Sequence, residues 1–202
     1  MNNYYTQVLD TPWKGYYFVT QLIYRPLLYL YFLICGLEYP KGSSFYGFPR
    51  IFRHRGSAIN IGDNFENRNW TFCNPLGINH ATIITTWGKN AKIRIGKNVG
   101  ISGGAICATS QIEIGDNCLI GANCTIIDTD FHPVSADKRR YKKVNIGKPI
   151  VIEDNVFIGM NTTVLKGVRI GMNSVVGAGS IVRDNIPANH IYNNGKLTPL
   201  KK

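Results

Sequence analysis

Residues 150–182 read IVIEDNVFIGMNTTVLKGVRIGMNSVVGAGSIV, and the periodicity of this stretch decides the architecture. Stepping by six from Ile146 gives Ile152, Ile158, Val164, Ile170, Val176 and Val182, an unbroken aliphatic series. Three residues beyond each member stand Pro149, Asn155, Asn161, Gly167, Asn173, Gly179 and Asn185, types that suit tight turns or left-handed backbone. Two residues before each stand Val144, Ile150, Val156, Thr162, Val168, Ser174 and Ser180, all β-branched or small. An amphipathic helix repeats its apolar residues every three or four positions and a strand every two, so neither explains the pattern. A solenoid does: each unit is one flat wall ending in a corner, three walls close a coil, and coils stack at about 4.8 Å.

Working outward, the same unit recurs at Ile61 with Asn64, Ile95 with Asn98, Ile114 with Asn117 and Ile120 with Asn123. Register breaks twice. The step from Ile95 to Ile114 is one residue out of phase, and the step from Ile126 to Ile146 leaves an insertion running from Asp128 to Lys143. The segment IEIGDNCLIGANCTIID (112–128), taken with 150–182, resembles the hexapeptide-repeat acyltransferases over about residues 57–191. That resemblance implies a left-handed parallel β-helix; the hand comes from it alone, because general crossover preferences favour the right. The expected class is all-β, with an N-terminal α-helical appendage and basic connector (1–56), a β-helix domain (57–202) and an extruded loop (128–143).

Composition agrees. Gly numbers 21, and β-branched residues crowd the second half. The five cysteines form no CxxC pair and follow no secretory signal, which argues against disulfides and structural zinc and fits a reducing cytoplasm. Lys and Arg outnumber Asp and Glu by 23 to 12, with clusters at Arg50–Arg55 and Lys138–Lys143. Neither cluster has a recognition-helix or RNA-binding pattern, so no nucleic acid is expected; coenzyme phosphates, anionic lipid or an acidic saccharide suit them better, as does a merely solvated loop. The apolar stretch Tyr16–Leu37 is interrupted by Arg25-Pro26, which disfavours a spanning helix and suggests a break near Arg25. A helical hairpin or pair packed on the domain or between subunits, or a membrane-surface anchor peripheral to the inner membrane, fits better.

Chemistry concentrates in the insertion, which begins Asp128-Thr129-Asp130-Phe131-His132-Pro133. A neutral imidazole can take a proton from an attacking hydroxyl, and Pro133 restrains the backbone of His132. Asp128 and Asp130 are candidates to orient the ring or hold sugar hydroxyls, on the side His132 faces if the strand continues. DTDFHP is similar to the corresponding segment of sugar and capsule O-acetyltransferases, a resemblance that makes His132 the general base. It also makes Ser102, in Gly100-Ile101-Ser102-Gly103-Gly104, the acceptor-contacting residue, with Ser-Gly closer to the capsule-type enzymes.

The same resemblance implies acetyl-CoA as donor, lying along a groove between subunits of a homotrimer. Gly159, Thr163, Gly177, Ala178 and Ser180 are the small residues proposed to line it, with backbone amides for the oxyanion, and Arg183 and Lys196 the cations for its phosphates. The four histidines do not supply a zinc pattern, and no metal is expected. His54 and His190 read as surface residues and His80 as one that could approach the acceptor. Trp70 and Trp87 could stack on a sugar, although packing explains them better. The leading expectation is O-acetylation of a saccharide in surface-polysaccharide synthesis. Acetylation of an amino sugar or xenobiotic is a second reading, and a non-catalytic solenoid scaffold a third.

Overall fold

A computed structural model describes residues 10–140 and 147–201. Residues 141–143 of the insertion, including Lys143, together with Val144 and Ile146 of the repeat series, lie outside the described residues. Short strands fall in chain order onto three sheets in rotation through β17, after which β18 and β19 both join the first sheet. Wall A holds β1 (Ser44–Tyr46), β4 (Glu66–Arg68), β7 (Gly100–Ser102), β10 (Leu119–Ile120), β13 (Phe157–Ile158), β16 (Val175–Val176), β18 (His190–Asn193) and β19 (Lys196–Pro199). Wall B holds β2 (Arg50–Arg53), β5 (Ile83–Thr86), β8 (Ala105–Ala108), β11 (Thr125–Ile127), β14 (Thr163–Val164) and β17 (Ile181–Val182). Wall C holds β3 (Ala58–Ile61), β6 (Lys92–Ile95), β9 (Gln111–Ile114), β12 (Ile150–Ile152) and β15 (Arg169–Ile170). Pairing between coils is parallel, and only β18 with β19 runs antiparallel.

The aliphatic series points inward and stacks. Ile101, Ile120, Ile158 and Val176 are in register on wall A, Ile84, Ile106, Ile126, Val164 and Val182 on wall B, and Ile95, Ile114, Ile152 and Ile170 on wall C. All of them are buried. The corner residues behave as their types demand: Asn64, Asn98, Asn117, Asn123, Asn155, Asn161 and Asn173 all have φ between 56 and 61°. Asn tolerates this conformation because its short amide bonds locally. Along one corner these amides form ladders, Asn64 to Asn98 at 3.0 Å and Asn98 to Asn117 at 2.9 Å. Asn185 departs from the pattern; it keeps negative φ and accepts the Arg169 amide at 2.7 Å through Oδ1.

The β-helix starts earlier than residue 57. β1 and β2 already belong to walls A and B, with Phe45 and Ile51, six apart, pointing inward. The expected boundary was late because an aromatic residue opens the series and Gly47-Phe48-Pro49 forms the first corner without Asn. Nor is there a break at Arg25: helix α1 (Trp13–Ile34) runs through Pro26. Pro26 lies on the exposed side, where water can satisfy the carbonyl that loses its donor. On the opposite side Thr20, Leu28 and Phe32 are buried, and Phe32 meets Phe45 at 5.3 Å between ring centroids. The helix therefore seals the first coil.

Candidate active site

β11 ends at Ile127, and the insertion leaves at the corner between walls B and C. Asp128 does not project into a site. It is fully buried and its carboxylate accepts the amides of Thr109 (2.7 Å) and Ser110 (2.7 Å) and the Thr109 hydroxyl (2.9 Å). The same hydroxyl accepts the Gly147 amide at 2.8 Å, so Asp128 and Thr109 together clamp both ends of the insertion to the wall. Substrate contact by Asp128 is thus excluded by burial. Strand alternation stops at Ile127, which is why Asp128 and His132 do not share a side.

Asp130, by contrast, is exposed and pairs with Lys166 from the next coil. Phe131 has φ of 57°, a conformation costly for a bulky residue, and its amide donates to the Thr129 hydroxyl at 3.1 Å. Such strain persists only where surroundings impose it, and it commonly marks functional segments. Here it turns the Phe131 ring edge-on to Trp87 at 6.1 Å and leaves His132 exposed between that aromatic pair and Pro133. The His132 amide donates to the Asp130 carbonyl at 2.6 Å, and Nδ1 lies 3.3 Å from the Arg139 carbonyl oxygen. With Nδ1 engaged as a donor, Nε2 carries the lone pair a base needs. Trp87 is 55% exposed, so it is not a core residue of this chain.

Ser102 stands at the other margin of wall B, closing β7 on wall A just before the Gly103-Gly104 corner. A four-residue strand at about 3.3 Å per residue makes that wall about 13 Å wide, so one chain does not bring Ser102 and His132 together. Ser102 instead lines a hollow with Glu66, Arg68, Gly121, Leu119 and Phe157. A second insertion, residues 69–82, leaves at this corner. It is anchored by a buried network in which the Asn67 amide donates to the Thr82 hydroxyl (2.7 Å) and the Asn69 amide to Asn67 Oδ1 (2.7 Å). The gap between Ile61 and Ile95 was the sequence signal for it. His80 lies on this loop, its carbonyl against Gly103, away from His132.

The residues assigned to the donor separate into two groups. Gly159 and Gly177 spend their amides on the carbonyls of Val176 and Tyr192, both at 2.8 Å, and Ser180 is fully buried with its hydroxyl inward. Both glycine amides are thus taken within the solenoid, which corrects their assignment as oxyanion donors, and the buried Ser180 cannot line a groove. Their small size is a stacking requirement: a Cβ on Gly159 would lie 2.5 Å from the Ala178 nitrogen. Gly159→Ala is accordingly expected to cost about 1–3 kcal/mol, read as a lower urea midpoint at unchanged slope. Thr163 faces outward on wall B in line with Ala105 and Thr125, and Ala178 is exposed at the corner. Arg183 follows β17 on wall B whereas Lys196 opens β19 on wall A, so the structure does not converge them. The thiols of Cys107, Cys118 and Cys124 are pushed up to about 11, chiefly by burial, which disqualifies them as nucleophiles at neutral pH. No cluster of metal-ligating side chains exists among the described residues.

Three parallel walls, Asn corners and an extruded histidine loop make a three-sided parallel β-helix of six-residue units, the fold shared by hexapeptide-repeat acyltransferases. Residues 111–134 and 149–183 match the family described as the hexapeptide repeat of succinyl-transferase. The chain is 48% identical over 80 residues to the galactoside O-acetyltransferase of Lactococcus lactis, covering 40% of this chain and 38% of that protein. It is 46% identical over 78 residues to the galactoside O-acetyltransferase of Escherichia coli, covering 39% and 37%. The matched part thus spans well under half of either relative. Among solved structures, the N-acyltransferase AntD of Bacillus cereus, in complex with an amino-sugar nucleotide and coenzyme A, superposes with a TM-score of 0.59 at 19% identity, covering 79% and 80%. That likeness concerns the fold.

Proposed function

We propose that this protein transfers acetyl from acetyl-CoA to a saccharide hydroxyl, with His132 as general base, in surface-polysaccharide synthesis. The observation that carries the reading is the exposed imidazole on a clamped, strained loop beside the Trp87–Phe131 pair. The aromatic pair offers a platform for a sugar ring, and the Asp130–Lys166 pair offers polar contacts at its rim. Nε2 takes the hydroxyl proton as oxygen attacks the thioester carbon; the coenzyme thiolate leaves and is reprotonated from the imidazolium. Galactoside O-acetyltransferases among the relatives support the hydroxyl as acceptor.

The donor fits along the edge between walls A and B. Gly121, Gly159 and Gly177 stack below Ser102 on one side of that edge, and Ala105, Thr125 and Thr163 stack on the other, leaving a smooth strip parallel to the coil axis. Ala178, exposed at that edge, is the residue whose amide would serve the oxyanion, and Arg183 and Lys196 are cations for the phosphates. Because His132 stands at the opposite margin of wall B, a complete site needs the strip of one subunit facing the loop of its neighbour. A homotrimer provides this three times. Wall chemistry supports the arrangement: wall C carries Asn60, Arg94, Glu113 and Arg169 outward, whereas walls A and B expose Leu119, Phe157 and Ile181. Five free thiols suit a reducing cytoplasm.

Release of free thiol from acetyl-CoA, measured over a panel of neutral saccharides, sialic-acid polymers, amino sugars and amine xenobiotics, tests the reading. Turnover with a saccharide hydroxyl is expected. Turnover confined to amino acceptors would replace O-acetylation by N-acetylation, and none with any acceptor would favour a scaffold.

A further inference from the structure

Helix α1 is mostly apolar, with Lys14 and Arg25 as its charged residues, yet the protein covers only one side of it. Tyr17, Thr20, Tyr24, Leu28, Tyr31 and Phe32 face the coil, a stripe spaced by three and four. Leu22, Ile23, Leu27, Leu30, Leu33 and Ile34 form the opposite stripe, each 51 to 74% exposed. The helix has the length and composition to cross a membrane, but Leu28 and Phe32 are locked into the first coil, so it cannot do so without dismantling that end of the protein. It can lie in a membrane plane. Pro26, on the exposed side, frees a carbonyl that water and headgroups can satisfy and hydrocarbon cannot.

Charge identifies the occupant. Between residues 11 and 62 stand Lys14, Arg25, Lys41, Arg50, Arg53 and Arg55 against a single carboxylate, Glu38. The Arg53 guanidinium packs at Gly36, directly after the helix, and Tyr31 of α1 accepts the Ile51 amide at 3.1 Å, which ties β2 to the helix. Phe52, 56% exposed, lies between the arginines. We propose that the uncovered side of α1 and the basic strand β2 together form a docking surface for an anionic membrane. A second assembly docked end to end is a poor occupant, because the two-fold contact through this surface would set each cationic cluster against its own like. Apolar insertion supplies the binding energy and the arginines select anionic headgroups. The surface lies at the end of the coil sealed by α1, and it makes no use of His132.

Co-sedimentation of the full chain with vesicles of phosphatidylglycerol and phosphatidylcholine, or of phosphatidylcholine alone, tests this. Binding is expected on the anionic vesicles, weakening as salt rises. Arg50→Glu combined with Arg55→Glu should lower it about tenfold or more. Ile23→Gln combined with Leu27→Gln and Leu30→Gln should do likewise, with thermal midpoints and acetyl transfer to a soluble acceptor preserved, since all these side chains are exposed. Equal binding to both vesicles, or none, overturns the proposal. So does a particle mass in light scattering that the glutamine triple variant halves, because the helix would then be covered by a second copy. Sedimentation is independent of acetyl transfer, so failure of the enzymatic reading leaves this result intact.

Discussion

Replacing His132 with alanine is expected to lower acetyl transfer by at least about 100-fold, the lower range for loss of a general base, with the fold unchanged. The side chain is exposed and its ring nitrogen meets the Arg139 carbonyl of an exposed residue, so its removal opens no cavity in the core. The measurement is turnover under saturating acetyl-CoA beside a thermal melt of the same sample. Because a base acts in the transition state and contributes little to holding the donor, KM for acetyl-CoA should move far less than kcat. Loss of activity with an unchanged melt supports the role of His132. Unchanged activity removes the base from this loop, and with it the proposed mechanism.

Asp128→Ala is expected to behave in the opposite way, as a stability defect. It deprives two backbone amides and one hydroxyl of their buried acceptor, at a cost of about 3 kcal/mol or more. For a chain of this size that corresponds to a drop of roughly 6–12 °C in the thermal midpoint. Asp128→Asn should recover only part of the loss, because an amide NH₂ would then face a backbone N–H. Residual activity of either variant, assayed well below its midpoint, should exceed that of His132→Ala. A catalytic collapse with an unaltered melt would instead return Asp128 to the reacting groups.

The contrast between these two residues shows how far the sequence could be read. Walls and corners were legible because each residue type at each sixth position has a local reason: Ile152 and Val164 fill a narrow interior, and Asn155 accepts a left-handed backbone. Such reasons do not depend on distant parts of the chain. The extruded loop was visible as an interruption of that rhythm. Which of its side chains turn outward was not, since that depends on Thr109, nineteen residues away, and on the positive φ of Phe131. The glycines misled for a related reason. Gly159 and Gly177 look like amide donors for an oxyanion, but their N–H groups are taken by the next coil. The start of the first coil escaped because Phe45 and Ile51 lack the Asn corners that punctuate the rest.

Parallel coils carry no inherent stopping point, and the bare rim of the last one would accept another molecule as readily as another turn of its own chain. Reversal of the final strand, β19 against β18, gives wall A a lid of opposite polarity that is exposed along its length and bears Lys196. Deleting β19 would leave the edge of β18 open to pairing with a second copy.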